Sequence, residues 1–201
     1  MSMVAVAPAV ATPPAQRPAQ RIVDATLRCI ARWGVAKTTL DDVARDAGCS
    51  RATIYRLFPG GKDGLMDATA RAEVERFFDG VAAAIADAAS LEDVLVAGMT
   101  EAGRGVLRHQ ALQYLLTHEP EAILPRLAFA ELDRVLAAAA TFAAPHLGRF
   151  IPDPDGSRRA AEWVARLVVS YACTPTPGVD LTDEASVRTL VRTFVLPGLT
   201  N

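Results

Sequence analysis

Cysteine is scarce in this sequence: Cys29, Cys49 and Cys173 are an odd number, lie far apart and form no C-x-x-C pair. Neither a disulfide framework nor a thiolate metal site is therefore expected, and a reducing, cytoplasmic setting fits. No uninterrupted apolar run of about 18 residues occurs; the stretch 81–89 is broken by Asp87, so no membrane span is expected. Catalytic signatures are equally thin. His109, His118 and His146 are scattered with no ligand pair at i, i+4. There is no G-x-S-x-G, no glycine loop leading into Lys-Ser/Thr and no nucleophile placed beside a base. No catalytic residue, metal ligand or cofactor is expected.

What the chain has is enough apolar material to fold. Of its 201 residues 51% are hydrophobic, which excludes disorder over most of the length and permits a core without disulfides or metal. Aromatics make up only 6% while alanine is abundant, and this balance favours helices over sheets. The expected class is all-α. Residues 1–16 are rich in Pro and Ala, lack the basic start of a signal peptide and run into Pro13, Pro14 and Pro18; a disordered arm is expected there.

Charge becomes informative once the chain is divided. Residues 17–65 carry nine basic side chains against five acidic ones, a net +4, inside a chain whose overall charge is -2. Such asymmetry suits an end that meets a polyanion, with chance clustering as the alternative.

That basic end reads as three short helices. Ile22, Ala25, Cys29, Ile30 and Trp33 recur at helical spacing opposite Arg21, Asp24, Arg28 and Arg32, and Gly34 comes next as a helix stop. Thr39 stands three residues before Asp42 and ahead of Leu40, Val43, Ala44 and Ala47, a capping-box-like start to a second helix. Gly48 supplies a tight turn and Ser50 an N-cap for a third helix over 51–58. Helix, glycine turn, helix is the helix-turn-helix pattern. On the third helix Ile54, Leu57 and Phe58 fall on one face and should pack inward, leaving Ala52 and Arg56 opposite, Thr53 and Tyr55 on the flanks, and Arg51 in the first turn. Arg offers a bidentate donor to guanine, Thr a hydroxyl and a methyl, and Ala a close approach to base edges; Tyr55 suits a phosphate. A merely solvated polar face is the alternative. Lys62 comes after Gly60 and Gly61 at the start of a fourth helix, where a cation opposes the helix dipole unless it shares a bound phosphate; a purely structural start also fits.

The run 21–25 through Trp33-Gly34, and then 38–58 with its Ser50-Arg51-Ala52-Thr53-Ile54-Tyr55 segment, resembles the DNA-binding domain of TetR-type (TetR/AcrR) transcriptional regulators. The resemblance spans about 50 residues in register, including the Phe, Gly and Lys beyond that segment. It implies phosphate contacts from Thr39 and Tyr55, groove contacts from Arg51, Ala52, Thr53 and Arg56, and an anchor at Lys62. The family commonly has one residue fewer between Phe58 and Lys62, and often a His where Leu57 stands. The implied organisation is a DNA-binding domain over 17–64 and a helical effector-binding and dimerisation domain over 65–201.

The second part supplies its own pattern. Phe77, Phe78, Val81 and Ile85 stripe a long helix from Lys62 to about Ala89, and Ser90 with Asp93 opens another through Val94, Leu95, Met99 and Val106. A helix is expected over 110–117, one over 126–144, and a loop over 148–157 with Pro152 and Pro154. Val164, Val168 and Tyr171, with Val187, Leu190, Val191 and Phe194, form stripes that either meet a second copy in a four-helix interface or complete a monomeric core. Met99, Tyr114, Leu116, Phe129, Leu132, Leu136, Phe142 and Trp163 are large apolar residues from separate helices, suited to a cavity, with core packing as the default. The function expected is a ligand-responsive regulator: a homodimer on double-stranded DNA, bound to a quasi-palindromic operator, acting as a repressor and released by a small hydrophobic effector such as a fatty acid. The alternative is a helical ligand-binding or enzymatic protein whose basic end holds another anion. Residues 1–16 either trail along the minor groove or serve no role.

Overall fold

The computed structural model describes residues 17–121 and 130–199, and among these the fold is all helical. The chain orders as α1 (Pro18–Lys37), α2 (Leu40–Ala47), α3 (Arg51–Leu57), α4 (Gly61–Ile85), α5 (Leu91–Leu107), α6 (Gln110–His118), α7 (Ala130–Leu147), α8 (Pro154–Cys173) and α9 (Glu184–Leu190). The last continues through a π-helical turn, Val191–Val195, into Leu196–Leu199. The arm 1–16 and Phe129 lie outside the described residues, as does the side chain of Leu132.

Local chemistry sets the helix starts. The hydroxyls of Thr39, Ser50 and Ser90 accept the backbone N–H groups of Asp42, Thr53 and Asp93 at 3.2, 3.2 and 3.1 Å. Asp153 and Asp183 do the same for Gly156 at 2.8 Å and Ser186 at 2.9 Å. Each such cap supplies about 1 kcal/mol by satisfying a donor the helix leaves open. Gly48 closes α2 at φ 62, ψ 43, the left-handed conformation that lets α3 turn back sharply. The loop expected over 148–157 is shorter than that. With Asp153 as cap, Pro154 takes the first helical position, where its missing N–H costs nothing, so α8 starts there.

Two apolar cores form. Ile22, Ala25 and Cys29 of α1, Val43 of α2, Ile54 of α3 and Leu65 of α4 share the first. The second runs from Val81 and Ile85 of α4 through α5, α7 and α8 to Val187, Val191 and Val195. A small cluster of Ile30, Ala111 and Leu115 fastens α1 to α6. Trp33 and Leu57, placed inward by periodicity, are instead 38% and 37% exposed. Both stand at helix ends. α1 kinks at Gly34, and α3 ends at Leu57, so Phe58 leaves the helix at φ -128, ψ 81 and turns into the core while Leu57 does not.

Candidate nucleic-acid interface and apolar cavity

On α3 the burial divides as the periodicity requires at its centre: Ile54 is fully enclosed while Arg51, Ala52, Tyr55 and Arg56 are exposed and Thr53 half-buried. Arg51 leans across the α2–α3 turn, with Nη1 3.3 Å from Asp41 Oδ2 and Nη2 3.3 Å from the Tyr55 hydroxyl. Its guanidinium lies 5.8 Å from the Tyr55 ring centroid. Arg56 has no ion pair or side-chain hydrogen bond among the described residues, so its donors face solvent. Thr39 is exposed beside this face, but its hydroxyl donates to Asp42 Oδ2 at 2.5 Å, which holds the Asp42 carboxyl below its ordinary range. A phosphate contact through Thr39 would require that proton to leave Asp42.

Lys62 is turned toward its own protein. Its ammonium donates to the carbonyls of Val35 at 2.7 Å and Ala36 at 3.2 Å. These belong to the last turn of α1, where free carbonyls and the negative end of the helix dipole attract a cation. Two of its three N–H donors are thus occupied within the fold. The same turn is held from the other side by Glu119, whose Oε2 accepts the Val35 N–H at 2.9 Å. Gly34 makes room for this contact: it takes φ 80, and a Cβ there would collide with the Glu119 carboxylate.

A second connection runs alongside. Arg76 of α4 donates to Asp24 of α1 and to Glu73 at 2.6 Å each, and the other Glu73 oxygen lies 2.8 Å from His109 Nε2. His109 caps α6 by accepting the Leu112 N–H on Nδ1 at 3.0 Å. With Nδ1 an acceptor, the ring proton sits on Nε2 and is donated to Glu73. α1, α4 and the start of α6 are thereby joined by charged groups.

Leu112 also belongs to the wall of a cavity of about 260 Å³ enclosed by α4, α5, α6, α7 and α8. Met99, Leu116, Leu136 and Phe142, expected to line such a space, do so. Tyr114 and Trp163 do not. Tyr114 stacks on His118 with ring centroids 4.4 Å apart, in the seam between α1 and α6. Trp163 lies toward the C-terminal segment, where its ring comes within 3.5 Å of the Cβ position of Gly198. The wall includes several residues not expected there from the sequence, among them Phe77, Phe78 and Val81 of α4, Val94 and Leu95 of α5 and Val169 of α8. The stripes on α4 and α5 are visible in the sequence, but an apolar stripe does not distinguish a helix that faces a void from one that faces another side chain.

The residues expected at a subunit interface divide sharply. Val168, Val187, Leu190 and Val191 are buried inside one chain. Val187 and Val191 belong to the core shared with α5, and Val164 and Val168 face the cavity. Tyr171 is half-buried against the same core. Phe194 remains outside at 68% exposure, and the π-helical turn explains why: its i→i+5 bond, Leu196 N–H to Val191 C=O, widens the turn. Phe194 swings out of the stripe while Val195 stays in. Trp163 is the other large exposed apolar side chain of this end, at 38%.

Among the described residues no group of three or more His, Cys, Asp and Glu is placed to hold a metal ion, and no helix is long and apolar enough to cross a membrane.

Comparison with known proteins agrees with this architecture. Residues 22–69 match the family described as bacterial regulatory proteins, tetR family. The chain is 31% identical over 182 residues to the uncharacterised HTH-type transcriptional regulator Rv1255c of Mycobacterium tuberculosis, covering 90% of this chain and 85% of that protein. Among solved structures it is similar to the TetR family repressor AlkX of Dietzia sp., implicated in biodegradation of n-alkanes. That match has 25% identity and a TM-score of 0.60 over 90% of this chain and 96% of the other. The transcriptional regulator FadR of Bacillus subtilis, solved in complex with stearoyl-CoA, shares the fold at 17% identity with a TM-score of 0.62 over 87% and 97% of the two chains. A helix-turn-helix whose third helix presents Arg56 to solvent, set on an all-helical second unit and matched along most of its length by such a relative, places this chain in the TetR family of bacterial transcriptional regulators.

Proposed function

We propose that the protein is a ligand-responsive transcriptional repressor that binds a quasi-palindromic operator as a homodimer in the cytoplasm, and that a hydrophobic effector entering the cavity releases it. It acts by binding and not by catalysis. The observation that carries this reading is the exposed outer face of α3, with Arg56 unpaired among the described residues and Tyr55 and Ala52 exposed, opposite a side fully clamped by Ile54. Arg51, Thr53 and Arg56 read base edges, while Tyr55 and Thr39 hold phosphates. The apolar wall of the cavity supports a hydrophobic effector. The surface around Phe194 and Trp163 pairs two copies so that two recognition helices meet adjacent half-sites about one helical turn apart.

Release arises from the connections out of the cavity. Leu112 and Leu116 line it from α6, and α6 holds α1 through Glu119 and, by way of His109 and Glu73, through Arg76. An effector that prefers a displaced α6 or α4 shifts α1, and with it the separation of the two recognition helices. A coupling of about 1–3 kcal/mol weakens operator binding roughly 5- to 150-fold, and DNA weakens effector binding equally. The test is the affinity of the full chain for DNA fragments around its own gene at several salt concentrations. The reading requires a sequence preference above a steeply salt-dependent background; salt-dependent binding without preference would remove it.

A further inference from the structure

We infer that the effector is an uncharged hydrocarbon chain rather than a free fatty acid or a phosphorylated acyl carrier; this rests on the effector role proposed above for the same cavity. The ground is the chemistry of the wall. From α4 (Phe78, Val81), α5 (Met99), α7 (Leu136, Phe142) and α8 (Val168) inward, the described lining carries no Asp, Glu, Lys, Arg, His, Asn, Gln, Ser or Thr. The one side chain there with a polar hydrogen is Cys173, a weak donor. Thr69 and Thr100, the buried hydroxyls without a hydrogen-bond partner among the described residues, are not in the wall. His146 touches Phe142 with ring centroids 5.3 Å apart but is also outside the lining.

A carboxylate carried into this space loses its water and finds no charged or hydroxyl donor among the described lining residues to replace it, so this wall selects against the ionised acid. A saturated chain loses nothing polar and gains in proportion to the apolar area it hides. Val135 and Cys173, exposed residues of the wall, mark where the cavity reaches solvent. No lysine or arginine among the described lining residues stands there to hold an acid head outside while its tail goes in.

The experiment uses the full chain bound to its operator fragment at pH 8, titrated in parallel with n-decane, methyl decanoate and decanoate, with release followed by fluorescence anisotropy. Decane and methyl decanoate should release the DNA at concentrations at least about tenfold lower than decanoate, a free-energy difference of about 1.4 kcal/mol. Release by decanoate at an equal or lower concentration overturns the inference and leaves the repressor reading in place. Failure of all three to act on a specifically bound operator overturns both this inference and the effector part of that reading. Ala139→Phe and Val169→Phe each fill the cavity from a half-buried wall position. Either variant that folds should still bind the operator and lose its response to decane, and an undiminished response in a folded variant overturns the site assignment.

Discussion

Glu119 of the α6 end accepts the backbone N–H of Val35 in α1 at 2.9 Å, across 84 positions of sequence. Lys62 grips the carbonyl of the same residue at 2.7 Å. Both polar groups of one residue at the exit of α1 are therefore held by charged side chains from elsewhere in the fold. Glu119→Ala should lower stability by about 1.5 kcal/mol, the lower end for a hydrogen bond to a charged group that keeps some access to water. Gly34→Ala should cost more, since φ 80 and the Glu119 carboxylate both oppose a side chain there. Thermal unfolding checks both; a melting temperature unchanged by either substitution would mean that the α1–α6 strap contributes nothing.

Lys62 can act on the fold, on DNA, or on both, and the two roles separate experimentally. Because its ammonium is bonded to α1 carbonyls, Lys62→Met should lower the melting temperature while leaving the salt dependence of operator binding unchanged. A phosphate contact would instead reduce the slope of log K against log salt by about one. Melting curves and salt titrations on the same variant decide the matter.

The C-terminal segment is tied to α5 by a charge cluster with a defined pH signature. Glu92 Oε1 accepts from Arg188 at 2.7 Å and Arg192 at 2.9 Å, and these bonds, that from Arg192 foremost, hold its carboxyl below the usual range. A lowered native value stabilises fully above the unfolded-state value of about 4.3 and is lost as pH falls through the native one. Glu92→Gln should therefore melt below the parent protein at pH 7, with the gap closing below about pH 4. A gap that stays constant with pH would assign the effect to packing and not to charge.

Phe194, carried outward by the π-helical turn, gives the dimer proposal a sharp handle. Its exposure of 68% means that Phe194→Arg should leave the monomer's stability within about 0.5 kcal/mol. Sedimentation should then show a shift from dimer to monomer, together with loss of tight operator binding. A variant that remains dimeric would place the interface elsewhere.

The parts of the fold legible in the sequence are those fixed by local chemistry. Thr39, Ser50 and Ser90 announce their helices because a cap and the N–H it accepts lie three residues apart, and Ile54 declares its face by spacing. Asp153-Pro154 is equally local, but the pair suits a loop or a helix start according to the residues C-terminal to it. The interface and cavity residues are harder because the question is which of several apolar stripes meets which. Val187 and Val191 repeat as an exposed seam would, yet they pack on α5 within one chain. Phe194 obeys the same repeat and leaves it because of a backbone bond that no periodicity encodes. Lys62 and Glu119 find partners at 27 and 84 positions' remove, distances at which sequence spacing carries no information about contact.

In the proposed function the outer face of α3 is the surface that reads DNA, and Arg56 is its most direct probe. Its guanidinium is exposed and unpaired among the described residues, so Arg56→Ala removes nothing that holds the domain together, whereas Ile54→Asp places a charge in the core and should unfold it. Operator affinity of Arg56→Ala, measured against a matched random duplex across several salt concentrations, should fall by about 1–3 kcal/mol on the specific site. Its circular dichroism and melting should match the parent protein. Wild-type specific affinity in that variant, at every salt concentration, would contradict the assignment of α3 as the reading helix.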